Sequence, residues 1–270
     1  MNYIDLTYFS GTGGTERIAY LVKEYLEENN KIVEIHFINA NYLKEKITVN
    51  DSTDLLLLLY PVYAFDAPKI VYDWCKLLPE GNKINAGIIS VSGGGEVGVN
   101  SACRIGIKKQ LEKKGYLVCY ENMVKMPSNW MIETPEQEAL KLIKELPHTI
   151  KTIADEILTG KQQKNKIALI GRILTFLFKI EKISIWQFGK SLKTNSSCTK
   201  CNLCVNSCPK NNIHNNGEKI KFGYSCEGCF KCIYNCPNKS IYSNVFSFLY
   251  LKNGYSIKKY EEKTEIAHIE

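Results

Sequence analysis

Hydrophobic and polar positions follow two different periods along the first 160 residues. Short apolar runs rich in branched and aromatic side chains, typical of buried strands, lie between longer stretches with helical periodicity. Strands are predicted at 2–9, 32–38, 54–60, 83–91 and 116–123, and helices at 15–28, 67–78, 99–114 and 135–158. This order predicts an α/β domain over 1–160 with a doubly wound, five-stranded parallel sheet, whose ligands bind beyond the carboxyl ends of the strands.

Residues 161–193 follow this domain and differ from it in composition. Their apolar positions predict a helix that is hydrophobic nearly all round, and eight basic residues stand against one acid, Glu181. Arg172 interrupts the apolar stretch, which is shorter than the roughly 20 residues needed to cross a bilayer. We expect a basic hydrophobic connector buried against the domains, with weak contact to a membrane surface or docking on a partner as the alternatives.

The formal net charge of +7 is concentrated in that connector. Of 35 basic and 28 acidic residues, eight and one lie in 161–193, so 27 of each sign remain elsewhere. The bound groups inferred below add negative charge. A general polyanion-binding role, with nucleic acid as the partner, is therefore not expected.

The length of 270 residues fits two domains. The chain opens on an apolar, strand-like run and lacks the basic segment and long apolar stretch of a secretory signal, so we expect a cytoplasmic protein. In that reducing compartment, 11 cysteines predict metal ligation rather than a disulfide framework.

Most cysteines fall in an internal repeat within residues 194–270. Each copy reads Cys, two residues, Cys, two residues, Cys, three residues, Cys, Pro, and the second copy begins 28 residues after the first. The eight positions are Cys198, Cys201, Cys204, Cys208, Cys226, Cys229, Cys232 and Cys236. Three thiolates at this spacing can hold three corners of one iron–sulfur cubane, and the fourth corner needs a ligand from elsewhere.

The repeat closely resembles bacterial ferredoxins with two [4Fe-4S] clusters, which have an α+β fold. The resemblance implies that the last cysteine of each copy, which is followed by proline, binds the other copy's cluster. One cluster would then take Cys198, Cys201, Cys204 and Cys236, and the other would take Cys226, Cys229, Cys232 and Cys208. The alternative is a pair of zinc sites, but zinc requires neither the third cysteine at the same spacing nor the proline in both copies.

A hydroxyl-rich and glycine-rich loop follows the first predicted strand and opens the first helix. Its members are Ser10, Gly11, Thr12, Gly13, Gly14 and Thr15. Helix N-terminal amides and glycine backbone favour an anion such as a phosphate, although a simple helix cap would look similar. The loop lacks the lysine of a Walker A motif and does not match the dinucleotide pattern GxGxxG.

This loop resembles the first loop of flavodoxins, Ser/Thr-x-Thr-Gly-x-Thr, which holds the FMN phosphate without a basic side chain. Many flavodoxins have asparagine where this chain has Gly14. The resemblance covers about 160 residues and implies a flavodoxin-like, FMN-binding domain.

Three further segments follow strands on the same predicted edge. Residues 60–65 include three aromatics, 126–130 end on Trp130, and 92–96 are glycine-rich. They could pack on a flavin ring and reach its edge, although single aromatics are more often core residues. The candidate flavin contacts are Ser10, Thr12, Gly13, Gly14, Thr15, Pro61, Tyr63, Ala64, Phe65, Ser92, Gly93, Gly94, Gly95, Asn129 and Trp130.

Other polar or reactive residues receive simpler interpretations. Cys75, Cys103 and Cys119 have apolar neighbours and are expected to act as small hydrophobes. Glu16 and Arg17 are expected to form a solvated pair, and Arg17 could add charge near the phosphate.

The whole arrangement is similar to EFR1-type fusion proteins of anaerobic bacteria, which join a flavodoxin to a ferredoxin. The resemblance implies an electron-transfer protein with two [4Fe-4S] clusters and FMN, working with redox partner proteins. One alternative is an FMN-dependent reductase of a small acceptor, such as a quinone or free flavin, with Tyr63 or Glu96 as weak candidates for a proton donor. Another is a structural or sensory metal protein without flavin.

Overall fold

The computed structural model describes residues 1–163 and 181–264. Most of the predicted connector, including its apolar stretch at 167–178, lies outside the described residues. Within the described ranges, no helix is both long enough and apolar enough to span a membrane.

The N-terminal part contains one parallel sheet. Its strands are β1 (Tyr3–Tyr8), β2 (Ile32–Phe37), β3 (Leu55–Pro61), β4 (Asn85–Ser92) and β5 (Leu117–Lys125), in the order β2-β1-β3-β4-β5. This is the strand order of the flavodoxin-like doubly wound fold, which confirms the prediction. Because β3 lies at the centre and is covered on both faces, all its residues before Pro61 are buried.

Four helices cover the two faces of the sheet. They are α1 (Gly14–Glu28), α2 (Lys69–Leu77), α3 (Ile105–Lys113) and α4 (Glu136–Leu158). Helices α1 and α4 pack in one hydrophobic core and α2 and α3 in the other. The single helix predicted at 99–114 is wrong at its start, where Gly98–Ala102 forms a separate 3₁₀ turn. The side chain of Asn100 in that turn binds the preceding glycine loop instead of continuing a helix.

The C-terminal part is built from short elements around a third core. They are α5 (Glu181–Ser191), β6 (Lys193–Thr194), α6 (Leu203–Ser207), β7 (Ile213–Asn215), β8 (Ile220–Phe222), α7 (Lys231–Tyr234) and β9 (Ile241–Tyr242). Strands β6 and β9 pair antiparallel, as do β7 and β8.

The sequence repeat is also a structural repeat. Left-handed backbone conformations at Lys200, Asn202 and Asn211 recur 28 residues later at Gly228, Phe230 and Lys239. A further correspondence involves the last cysteine of each copy, which is followed by proline. Asn212 donates its backbone N–H to Cys208 Sγ at 3.3 Å, and Ser240 donates to Cys236 Sγ at the same distance. Both copies therefore fold alike around their last cysteine.

The tail of the chain returns to the N-terminal core. Helix α8 (Ile257–Thr264) packs against α4, and Leu251, Tyr255 and Tyr260 join the same hydrophobic cluster as α1. Arg17 Nε lies 2.7 Å from Glu261 Oε1, and both side chains are largely buried. The expected solvated pair of Glu16 with Arg17 is therefore wrong, because α8 covers Arg17 and supplies its carboxylate. The predicted division of the chain into 1–160, 161–193 and 194–270 remains a prediction.

Candidate cofactor site

The loop after β1 has features that fit an anion. Gly13 has φ of +96° and precedes α1, whose first-turn amides point into the loop. Thr12 Oγ1 accepts a hydrogen bond from Asn129 Nδ2 at 2.7 Å, which ties the loop to the segment after β5. Ser10 Oγ is buried and has no hydrogen-bond partner among the described residues. A buried donor without a partner fits a phosphate oxygen at this point.

Two adjoining cavities open at the carboxyl ends of the strands. The smaller one is lined by the loop after β1 and by the ends of β3, β4 and β5, and the larger one has a volume of about 470 Å³. The structure brings thirteen of the fifteen predicted flavin contacts onto their walls: Ser10, Thr12, Gly14, Thr15, Pro61, Tyr63, Ala64, Phe65, Ser92, Gly93, Gly94, Asn129 and Trp130. Gly13 and Gly95 do not line either cavity, but both have positive φ and turn the loops. The roles of all fifteen residues remain predictions.

The turn after β3 places Ala64 and Phe65 on the wall of the larger cavity. Tyr63 and Asp66 pair through backbone hydrogen bonds of 2.9 and 3.1 Å, and both Ala64 and Phe65 between them have positive φ. Such conformations are costly for side chains other than glycine and concentrate at ligand sites. Tyr72 holds the turn by donating a hydrogen bond to Asp66 Oδ1 at 2.7 Å.

Arg104 supports the glycine loop after β4, and sequence reasoning missed it. Its side chain is fully buried, donates to Ser90 Oγ at 2.7 Å and pairs with Glu96 at the end of the loop. A β-carbon on Gly93 would lie 2.9 Å from Ser128 Cβ, so the loop also packs closely on the segment after β5. The signal available in the sequence was an arginine next to Cys103, at the start of a helix and shortly after a glycine run.

The C-terminal part forms the opposite wall of the larger cavity. The residues that it contributes are Ile185, Phe188, Glu227, Gly228, Phe230, Phe246, Phe248 and Leu249. Tyr234 anchors this wall by donating a hydrogen bond to Asn129 O at 2.6 Å. Sequence reasoning did not identify these residues, because nothing in the repeat indicates which of its faces meets the first domain.

The first predicted ligand set surrounds one cavity. Cys198, Cys201, Cys204 and Cys236 all line it, together with Pro237 and Asn238. This cavity is small, with a volume of about 20 Å³. The structure thus brings the last cysteine of the second copy to the first three of the first copy. We call these four residues the outer set, because Cys201 is exposed.

The second predicted set, Cys226, Cys229, Cys232 and Cys208, is called the inner set. Burial, followed by the charges of Cys229, Cys226 and Cys208, raises the pKa of Cys232 well above its usual value. Burial and the other thiols likewise raise the pKa of Cys226 and Cys229 to about 12. Thiolates clustered in this way require a compensating cationic group, and iron supplies one. This donor chemistry fits an iron–sulfur cluster.

The four cysteines of the outer set line a small cavity. Among residues 1–163 and 181–264, no three His, Cys, Asp or Glu side chains form a group that could hold one metal ion. A cubane differs from a single ion in having four irons, each of which takes one thiolate at a separate corner. The remaining cysteines, Cys75, Cys103 and Cys119, lie in or against the N-terminal core, as expected of small hydrophobes.

Residues 190–237 match the family model of the 4Fe-4S dicluster domain. The chain joins a flavodoxin-like domain to a 4Fe-4S dicluster domain. This combination is that of a redox protein of the electron-transfer class. No curated protein sequence matches the chain.

Several solved structures are similar to the flavodoxin-like domain. A flavodoxin from the domain Archaea has 13% identity over 58% of this chain and 99% of its own, with a TM-score of 0.36. A flavodoxin of Streptococcus pneumonia TIGR4 has 15% identity over 58% and 98%, with a TM-score of 0.39. Rubredoxin oxygen:oxidoreductase from the anaerobe Desulfovibrio gigas has 15% identity over 58% and 37%, with a TM-score of 0.38. These likenesses are too distant to carry an argument about function, and the fold rests on the observed strand order.

Proposed function

We propose that this protein passes electrons between external redox proteins and a bound FMN through two [4Fe-4S] clusters. The observation that carries the proposal is the contact between the phosphate loop and the inner set. A β-carbon on Gly11 would lie 2.9 Å from Cys229 Cβ and 3.0 Å from Cys229 O. One predicted cofactor site therefore touches the other, and internal transfer needs no movement of the domains.

The two cysteine sets differ in exposure to solvent. This difference favours one order of electron transfer between external partners, the two clusters and the flavin. The outer set includes the exposed Cys201, whereas its counterpart in the repeat, Cys229, is only 8% exposed and packs in the flavodoxin-like core. Gly189 of α5 closes the inner set further, since a β-carbon there would lie 2.2 Å from Cys226 Cβ. We infer that external partners exchange electrons with the outer cluster and that the inner cluster faces the flavin.

The residues of the chain have defined tasks in this proposal. FMN supplies one- and two-electron chemistry, and each cubane supplies one-electron chemistry. Ser10, Thr12 and Thr15 bind the phosphate with the first-turn amides of α1, and Phe65 and Trp130 enclose the ring. Arg104 and Asn100 hold the glycine loop at the ring edge through Ser90, Glu96 and Ser92. Phe188 and Phe230 exclude water on the side of the dicluster domain.

The size of the larger cavity favours a second candidate, an FMN-dependent reductase of a small acceptor. At about 470 Å³ with aromatic walls, it resembles cavities that bind small molecules. In this case a quinone or free flavin would enter beside the ring. Glu96 is a poor proton donor for it, because this carboxylate is paired with Arg104.

Anaerobic purification followed by quantification of iron, sulfide and FMN tests the proposal. About eight irons and one FMN per chain are expected. Reduced protein should then be oxidised rapidly by a redox protein and slowly by a quinone or free flavin. Rapid turnover with the small acceptor alone would support the reductase instead. Zinc in place of iron, or protein with iron but without flavin, would refute the proposal.

A further inference from the structure

Tyr63 lies where the two proposed cofactor sites meet. Its side chain lines both cavities of the flavin site and a third cavity that reaches Cys226. Phe9 packs edge-on against its ring with 6.3 Å between the centroids. The turn through Ala64 and Phe65 fixes its backbone. The position of the phenol is therefore set by packing on several sides.

The hydroxyl of Tyr63 is buried and has no hydrogen-bond partner among the described residues. Leaving such a group unpaired is costly, so it calls for a physical explanation. Burial, then the charges of Cys229, Glu227 and Cys226, raises the pKa of the phenol well above its usual value.

The hydroxyl oxygen of Tyr63 and the residue Cys229 both lie close to the position that a β-carbon on Gly11 would occupy. A β-carbon on Gly11 would lie 2.4 Å from Tyr63 Oη and 2.9 Å from Cys229 Cβ. Only a glycine leaves this space free, and no side chain separates the hydroxyl from the inner set there. The carbonyl of Cys229 is also close to this point, but neither it nor any cysteine sulfur among the described residues accepts the hydroxyl proton. A sulfide of the inner cluster would supply the missing acceptor.

We propose that Tyr63 is a positioning residue for the inner cluster, and that its O–H would donate a hydrogen bond to a cluster sulfide beside Cys229. This inference rests on the proposed function. Hydrogen bonds to sulfur stabilise the more negative, reduced state of a cluster and raise its potential. Burial of the inner set acts in the opposite direction, since it disfavours added negative charge. Tyr63 thus offsets part of the effect of burial.

The variant Tyr63→Phe in the full-length, anaerobically purified holoprotein tests this inference. Iron, sulfide and FMN are quantified first, and the midpoint potential of each cluster and of the flavin is then measured by an EPR-monitored redox titration. We expect the inner-cluster potential to become more negative and to move by more than the potentials of the outer cluster and the flavin. Tyr224→Phe is the matched control, because Tyr224 is 61% exposed and lines the same cavity as Tyr63 and Cys226. It should move none of the potentials.

Three results would overturn the inference. One is an unchanged inner-cluster potential in a Tyr63→Phe protein with full iron and FMN, and another is a shift confined to the flavin. If the variant does not assemble, pulsed ENDOR of wild-type protein reconstituted in D₂O decides. A strongly coupled exchangeable deuteron beyond those of backbone amides at the inner cluster supports the hydrogen bond, and its absence is the third result. Wild-type protein without iron or flavin would instead refute the proposed function itself.

Discussion

Gly11 and Cys229 are in contact across the two halves of the chain. One belongs to the loop that follows the first strand, and the other is the second cysteine of the second repeat. The α-carbon of Gly11 is so close to Cys229 that a β-carbon would be only 2.9 Å from the cysteine's own β-carbon. The contact joins the predicted phosphate site directly to the inner cysteine set.

Gly11→Ala should separate these two sites. The added methyl group would collide with Tyr63 and Cys229, and overpacking of this kind costs about 1–3 kcal/mol. Anaerobic urea unfolding should show a loss of that size, and electron transfer between clusters and flavin should slow in stopped-flow experiments. Gly14→Ala in the same loop is the control, since its methyl group would make only ordinary contacts of 3.5 and 3.9 Å. Equal stability of the two variants would contradict the prediction.

The exchange of ligands between the repeats can be tested with two double variants. If Cys236 belongs to the outer set, Cys201→Ala with Cys236→Ala should remove one cluster and leave about four irons. Cys201→Ala with Cys208→Ala should damage both sets and remove nearly all iron. The measurement is iron per chain together with the EPR signal of the reduced protein. The opposite pattern would show that each copy keeps its own last cysteine.

Asp5 should make stability depend on pH. It is buried in β1, and burial raises its pKa to about 6, above the unfolded value near 3.8. Because the folded pKa is the higher one, its contribution is fully present below about pH 4 and is lost as the pH rises through 6. Asp5→Asn should therefore stabilise the protein by roughly 1–3 kcal/mol at pH 8 and by about half as much at pH 5. Unfolding curves at the two pH values measure this, and a gain that does not change with pH would refute it.

The ion pair of Arg17 with Glu261 should hold the tail on the flavodoxin-like domain. Glu261→Gln leaves a largely buried guanidinium without its carboxylate partner at 2.7 Å, so we expect a loss of about 1–3 kcal/mol in unfolding free energy. Arg17→Met combined with Glu261→Leu should recover much of it. Glu136→Gln is the control, because its pair with Lys263 is exposed and such pairs contribute little to stability. Equal effects of the two Glu→Gln changes would contradict this prediction.

Local pattern in the sequence determined much of the fold and part of the site. The five strands and their parallel direction follow from the periodicity of apolar residues. The loop before α1 follows from glycine and hydroxyl positions within a few residues of each other. The cysteine repeat indicated two ligand sets, and the resemblance to ferredoxins implied which fourth cysteine completes each one. The walls of one cavity now bring Cys236 to Cys198, Cys201 and Cys204.

Only the tertiary structure decided how the halves meet. Tyr63, Cys229 and Arg104 received no such roles from sequence, because their surroundings come from residues that are distant along the chain. The return of α8 to α1, which pairs Arg17 with Glu261, was hidden for the same reason. Spacing within a motif is set by covalent geometry and can be read locally. Which faces pack together depends on the apolar surface that all elements bury at once, and no single segment records that outcome.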